Sequence, residues 1–315
     1  MKSGFIRALT CLLLLAGAWP AQAQKFIFTP QWTAQAQFAG YYVAFEQGFY
    51  REAGLDVEIV HPSVTKPALN RVQDNESQAT TLQLCQALEI IDSGLPLVNI
   101  LQTSMNNALV IVSSKDEDPL QQKGMRIATW TAGFDQIPIC LSIREGLDYQ
   151  WIPNGSGLNL FLAGAVDGTL AMSYNELQQL RQAGVTITDK NVYRFDEHGY
   201  NVQEDGVYMT RSYYEQHKDE ARRFAEASRR GWEWAALHPD ETLEIVMDYV
   251  TRNHIATNRI LQKFMLQEIL RLQVDRQSGQ REFRLRPDMV ELANTLMVES
   301  QMLLKPIPYD ELIAR

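Results

Sequence analysis

Short apolar runs alternate with amphipathic segments along most of this chain. Lys25–Phe28 reads as a strand, and Phe38–Gln47 as a helix stopped by Gly48. Asp56–His61 reads as the next strand. Helices follow at Pro67–Asp74 and Leu82–Ser93, the second closed by Gly94 just past its last turn. Leu97–Gln102 and Ala108–Ser113 are β-rich. This succession predicts a largely parallel sheet flanked by helices.

Ser114–Lys123 is charged and polar, contains Pro119, and reads as a crossover loop. The alternation then restarts. Strands are expected at Met125–Thr129, Tyr149–Pro153, Thr169–Met172 and Val192–Phe195. Helices are expected at Gln136–Glu145, Leu158–Leu162 and Asn175–Gln182. Beyond that the chain turns helical. Glu220–Leu237 carries Phe224, Ala227, Gly231, Trp232 and Ala235 at helical spacing, and Pro239 suits the first turn of the next helix. Thr242–Tyr249, Asn258–Leu270 and Pro287–Leu303 follow the same pattern. With no sheet of their own, these helices are expected to cover the first lobe. The expected division is residues 24–114 with 205–315 as lobe 1, and 115–204 as lobe 2. An α/β chain crossing twice between two lobes has the architecture of a type II periplasmic-binding-protein fold, a venus flytrap. In such a molecule a ligand gains contacts from both lobes only when the hinge closes.

The first residues change the picture of where the chain works. Lys2 and Arg7 precede the apolar stretch Leu9–Trp19, and Ala21-Gln22-Ala23 has the form of a cleavage site. Residues 1–23 therefore read as a secretory signal peptide cleaved after Ala23, giving an exported, periplasmic protein. Loss of Lys2 and Arg7 takes the formal charge from -9 to -11. Such an acidic surface repels phosphate backbones, so nucleic acid is not an expected partner. The cysteines that remain, Cys85 and Cys140, sit in apolar helical patterns and read as buried free thiols, although an oxidising compartment permits a bridge.

Catalytic patterns are sparse. Gly155-Ser156-Gly157 lacks the spacing of a nucleophile elbow, and the five histidines do not fall at metal-ligand spacing. No catalytic residue, metal or cofactor is expected. What remains is recognition chemistry. Trp32 lies just beyond the first strand, at the carboxyl edge where open α/β sheets bind ligands. Its indole suits stacking on a flat ring. Gln35, Gln37, Tyr41 and Tyr42 offer donors and acceptors, with Gln37 and Tyr41 preferred for the cleft and Tyr42 open between cleft and core. Phe38 belongs to the same run. Tyr174-Asn175-Glu176 follows another strand. Asn175 reads as a helix cap or a ligand contact, and Glu176 as a first-turn carboxylate or the reader of an amidine edge. Trp130 is a candidate second face of an aromatic clamp, in a loop that runs to Asp135. Asn201 reads equally as ligand contact or hinge residue.

The run from Trp32 to Ala44, with Gln47-Gly48-Phe49-Tyr50 and Gly54-Leu55-Asp56-Val57-Glu58, resembles the opening of solute-binding proteins of the NMT1/THI5-like family. Ser173-Tyr174-Asn175-Glu176, His198-Gly199-Tyr200-Asn201 through Gly206, and Ala227–Ala235 with His238-Pro239 resemble further motifs of that family. The resemblance spans nearly the whole mature chain. It implies the extracytoplasmic component of an ABC importer, acting as a monomer with a membrane permease as partner. The best-matching subgroup is associated with thiamine pyrimidine precursors of hydroxymethylpyrimidine or formylaminopyrimidine type. Other relatives bind riboflavin, sulfonates or nitrate, and some deliver their ligand to a membrane receptor, so the partner stays open between permease and receptor. The fold also includes an enzyme that makes hydroxymethylpyrimidine phosphate. Its cysteine-rich CCCFC motif is absent, and Leu82 and Gln86 stand where its lysine and histidine are expected. Ala79–Cys85 departs from the small glycine-containing turn common in importers, which bears on ligand choice more than on fold.

Overall fold

The computed structural model describes residues 25–315 apart from Val64, Ala132 and Ser156. The signal peptide expected over residues 1–23 lies outside the described residues. Ten strands form two five-stranded sheets. In chain order they are β1 (Phe26–Thr29), β2 (Val57–Ile59), β3 (Ala79–Leu82), β4 (Leu97–Gln102), β5 (Leu109–Ser113), β6 (Arg126–Thr129), β7 (Gln150–Pro153), β8 (Gly168–Met172), β9 (Val192–Arg194) and β10 (Gly206–Thr210). The first sheet has the order β2-β1-β3-β10-β4 and the second β7-β6-β8-β5-β9. β1 runs parallel to β2 and β3, with Phe28 opposite Ala79. β6 is likewise parallel to β7 and β8.

Two strands of the first sheet are absent from the sequence expectation. β3, Ala-Thr-Thr-Leu, is buried along its whole length, as is β10, Gly-Val-Tyr-Met-Thr. A strand covered on both faces shows no alternation, so neither carries a period of two. The helix expected over Leu82–Ser93 is correspondingly shorter. Leu82 ends β3, and Leu84–Asp92 is helical behind a reciprocal cap between Gln83 and Gln86.

β5 moves the lobe boundary. It pairs antiparallel with both β8 and β9, so residues 109–113 belong to the second sheet and not to the first lobe. The first crossing is therefore residues 103–108. Ser114–Lys123, expected to cross, lies on the second lobe, with a short turn at Pro119–Gln121. The physical reason is hydrogen bonding. Asp205 O accepts from Thr103 N at 2.9 Å and from Ser104 N at 3.3 Å. Asn107 N donates to Asn201 Oδ1 at 2.8 Å, and Asn201 Nδ2 donates to Asn106 Oδ1 at 3.3 Å. Gln203 Nε2 donates to Ser104 O at 3.0 Å. Much of the polar demand of each crossing is met by the other, and the end of Arg259–Leu272 adds Leu272 O as a further acceptor for Asn106.

The C-terminal helices cover the first lobe, as the apolar stripe implies, and two of them reach the second. Lys218–Leu237 lies against Ala39–Glu46, and Phe224 stacks on Phe26 at 4.5 Å and on Tyr50 at 5.1 Å. Ser173 Oγ of the second lobe donates to Glu268 Oε1 at 2.8 Å, in Arg259–Leu272. Pro287–Glu299 packs on Gln136–Glu145. Between the lobes, Gln136 Nε2 donates to Glu89 Oε2 at 2.7 Å. The lobes are thus in contact, a closed arrangement. Cys85 and Cys140 are buried free thiols. No helix among the described residues is long and apolar enough to cross a membrane.

Gly231 explains the small residues of its helix. A Cβ there would meet the Gly40 carbonyl oxygen at 2.1 Å and Ala44 Cβ at 2.8 Å. This contact presses Lys218–Leu237 onto the helix that follows the Trp32 loop. Gly231→Ala is expected to lower stability by about 1–3 kcal/mol through overpacking of two backbones that cannot part cheaply. A thermal unfolding midpoint several degrees below wild type checks this; an unchanged midpoint counts against it.

Candidate functional site

The ends of β1, β6 and β8 meet a cleft between the lobes. The loop after β1 brings Gln31, Trp32, Gln35 and Gln37, and the cap of Leu84–Asp92 adds Gln83. The second lobe brings Trp130 and Phe134 from the loop after β6, and Met172, Tyr174, Asn175 and Glu176 from the end of β8. In this closed arrangement they enclose a cavity of only about 30 Å³. Ligand cavities run to roughly 300–1,000 Å³, so the lobes have to part further to admit a ring.

Three aromatic rings bridge the lobes. Trp32 meets Phe134 edge-on at 5.7 Å, and Phe134 meets Trp130 edge-on at 6.0 Å. Trp32 is only half-buried, whereas Trp130 and Phe134 are buried. Phe134 is therefore the ring that joins the two expected tryptophans. The Trp32 loop is held from behind by His61, just past β2. His61 Nδ1 donates to Trp32 O at 2.7 Å, since a carbonyl only accepts, and its Nε2 accepts from the Tyr42 hydroxyl at 2.8 Å. Tyr42 stacks on Tyr249 at 3.9 Å, which assigns it to the core.

The polar wall on the first lobe is a set of linked amides. Gln35 Nε2 donates to Gln37 Oε1 at 2.6 Å, and Gln37 Nε2 donates to Asp205 Oδ2 at 2.8 Å. Gln31 Nε2 donates to the other carboxylate oxygen, Asp205 Oδ1, at 2.7 Å. Gln31 Oε1 is buried with no protein partner. Burial pushes the Asp205 carboxyl up to about 6, while the two glutamine amides oppose that rise. Both of its oxygens accept from amide nitrogens, the arrangement that suits an ionised carboxylate.

On the second lobe, Glu176 opens the helix Glu176–Gln182 and is buried. Its Oε2 accepts from Met172 N at 3.0 Å and its Oε1 from Asn175 Nδ2 at 3.1 Å. Burial raises its pKa, and these donors together with the Trp130 indole act in the opposite direction. A carboxylate has roughly four acceptor positions, so these contacts orient it and leave capacity for a ligand. Asn175 does not act as a side-chain cap. Its Oδ1 accepts from Gln179 Nε2 at 2.8 Å, and its Nδ2 is turned to Glu176.

Of the expected site residues, Trp32, Gln37, Trp130, Tyr174, Asn175 and Glu176 line the cleft. Four lie elsewhere. Phe38 is fully buried, tilted against His61 at 5.7 Å. Tyr41 is buried between Phe28 and Trp232, because its turn of helix faces the first-lobe core. Asp135 accepts from Thr129 Oγ1 at 3.1 Å within its own lobe. Asn201 joins the two crossings, as its hinge reading has it. Gln31, Gln35, Gln83, Phe134 and Met172 complete the lining. The density of glutamine between Gln31 and Gln37 was the available signal for the first two. Nothing local marked Asp205 as the common acceptor of Gln31 and Gln37. Among the described residues no group of three or more potential ligands is placed to hold a metal ion.

His61 makes the support of this loop pH-dependent. Burial pushes its pKa down to about 4. The unfolded chain therefore takes up a proton that the folded one refuses, between roughly pH 6.5 and 4, and stability falls as pH falls through that window. His61→Gln keeps polar groups near both partners and removes the titration. The stability advantage of wild type over His61→Gln is expected to be larger at pH 7 than at pH 5 in urea unfolding; an advantage that grows on acidification rules the assignment out.

Known proteins share the fold of this chain. The formylaminopyrimidine-binding protein of Halalkalibacterium halodurans is 26% identical over 233 residues, covering 69% of this chain and 68% of that protein. The periplasmic aliphatic sulphonate binding protein SsuA from Escherichia coli shares the fold at TM-score 0.64 and 10% identity, covering 92% of each chain. The desulfurization enzyme DSZB shares it at TM-score 0.57 and 14% identity, covering 92% of this chain and 96% of that one. The two-lobe fold is thus used for both binding and catalysis, and function has to be read from the site. The model of the family described as NMT1/THI5 like matches residues 35–242, and the chain belongs to that family.

Proposed function

We propose that this protein is the exported solute-binding component of an ABC importer, and that it closes on an amino-substituted heteroaromatic solute of the thiamine pyrimidine-precursor type. One observation carries the ligand class. The lining combines four aromatic rings with an oriented, buried carboxylate and several amides, and among the described lining residues there is no lysine, arginine or histidine. A sulfonate or phosphate entering there would meet Glu176 with no counter-charge, and burying an unpaired anion is costly. A flat ring bearing N–H groups meets the opposite situation. The rings take its faces, and the carboxylate and amide oxygens take its donors. The relative named as formylaminopyrimidine-binding is consistent with that chemistry.

The same lining supports capture rather than turnover. Its groups are hydrogen-bonding and stacking groups, and Glu176 is held by Met172 N and Asn175 in a way that suits a fixed acceptor. The signal peptide read over residues 1–23 supports an extracytoplasmic location. A membrane permease would take the ligand from the opened cleft.

Calorimetric titration of the mature chain with hydroxymethylpyrimidine, formylaminopyrimidine, taurine and nitrate tests this. Binding of a pyrimidine but neither anion is expected. Glu176→Gln, which keeps one acceptor oxygen for Met172 N, is expected to weaken pyrimidine binding by about tenfold or more, as a charge-assisted hydrogen bond is lost. Trp32→Ala is expected to weaken binding without the roughly 3–5 kcal/mol stability loss of a core aromatic. Taurine or nitrate binding in place of a pyrimidine would overturn the proposal.

A further inference from the structure

We infer that Asp205, from its place in the second crossing, determines which way the cleft glutamines present their amides and so selects ligands that donate hydrogen bonds. The carboxylate sits outside the cleft lining, immediately before β10. Each of its oxygens takes one glutamine Nε2, from Gln31 at 2.7 Å and from Gln37 at 2.8 Å. A carboxylate only accepts, so both amides must turn their nitrogens inward. Gln37 Oε1 is then fixed towards Gln35, whose Nε2 it accepts at 2.6 Å. Two carbonyl oxygens are left over on the cleft wall. Gln31 Oε1 is buried without a protein partner, and Gln35 Oε1 is the end of the relay. With Glu176 opposite, the cleft becomes rich in acceptors on both sides. A ligand carrying an exocyclic amine satisfies them, and an analogue with only acceptors leaves Gln31 Oε1 unpaired.

The carboxylate is anchored well enough to impose this. The Asp205 backbone oxygen accepts from Thr103 N and Oγ1, both at 2.9 Å, and from Gln102 Nε2 at 3.0 Å. Its position is therefore set by the hinge rather than by the loop it orients. Asp205 is a positioning residue: it reaches the ligand through Gln31, Gln37 and Gln35.

Asp205→Asn is the informative change. Asparagine offers one acceptor and one donor to two facing amides, so one glutamine must turn over and present its nitrogen to the cleft. The ligand half of this inference rests on the pyrimidine reading; the amide half does not. Two measurements separate them. In ligand-free, 15N-labelled protein, the Nε2 protons of Gln31 and Gln37 are expected to be protected from exchange in wild type, with one pair losing protection in Asp205→Asn. Calorimetry then compares hydroxymethylpyrimidine, which carries a 4-amino group, with its 4-methoxy analogue. Wild type is expected to prefer the amine, and Asp205→Asn to reduce that preference by about tenfold, the value of one hydrogen bond exchanged for a mismatch. Gln31→Met is expected to lower amine affinity more than methoxy affinity, so that the ratio of the two falls, which covers the case in which Asp205→Asn does not fold. Unaltered amide protection in a folded Asp205→Asn overturns the inference, and so does an unchanged amine-to-methoxy ratio in both variants. Expected amide behaviour with neither pyrimidine bound by wild type upholds the orientation and overturns the pyrimidine reading instead.

Discussion

Where the chain passes between its lobes it does so twice, and the two passages hold one another. Thr103, Ser104, Asn106 and Asn107 exchange hydrogen bonds with residues 201–205. Buried backbone groups away from a sheet need such partners, and here the other crossing supplies several of them while Leu272 O takes the N–H groups of Met105 and Asn106. The cleft lies beside this pair. Any change in the angle between lobes has to bend both passages together, so opening is confined to a hinge instead of a general loosening. Asn201 takes part in that constraint through Asn106 and Asn107.

Asp205 ties the hinge to recognition. Its backbone is part of the paired crossings, while its side chain gathers Gln31 and Gln37. A carboxylate in such a buried place is costly unless donors surround it, and the two amides meet that need. Glu176 follows the same rule in the other lobe, with Met172 N and Asn175 as donors. Asp205 and Glu176 are thus buried acids on the two sides of the cleft, each with donors from its own surroundings. The rings of Trp32, Phe134 and Trp130 close the space from the sides.

Close packing behind the cleft gives this arrangement its rigidity. The Gly231–Gly40 approach seats the long helix Lys218–Leu237 on the helix after the Trp32 loop, and His61 fixes the loop's backbone. The small residues that look incidental in Ala227–Ala235 are needed because two helix backbones come within contact distance there. The rings of that helix are core, not ligand contacts: Trp232 packs on Tyr41 and Phe224 on Phe26.

Hydrophobic pattern alone was enough for the α/β class, most helices, and the placing of Trp32, Trp130 and Tyr174-Asn175-Glu176 at strand ends. Those are local properties: a period of two or 3.6, and the direction in which a strand ends. Tertiary structure decided the rest. β3 and β10 are buried on both faces and so carry no period, and β5 joins the second sheet because its partners are β8 and β9. Tyr41 and Phe38 turn to the core while Gln31 and Gln35 turn to the cleft, a choice made by the helices packed behind them. Asp205 is 174 residues from Gln31 and 168 from Gln37. No spacing rule reaches across that separation, so the acceptor that organises the cleft becomes visible only when the second crossing returns beside the loop that follows the first strand.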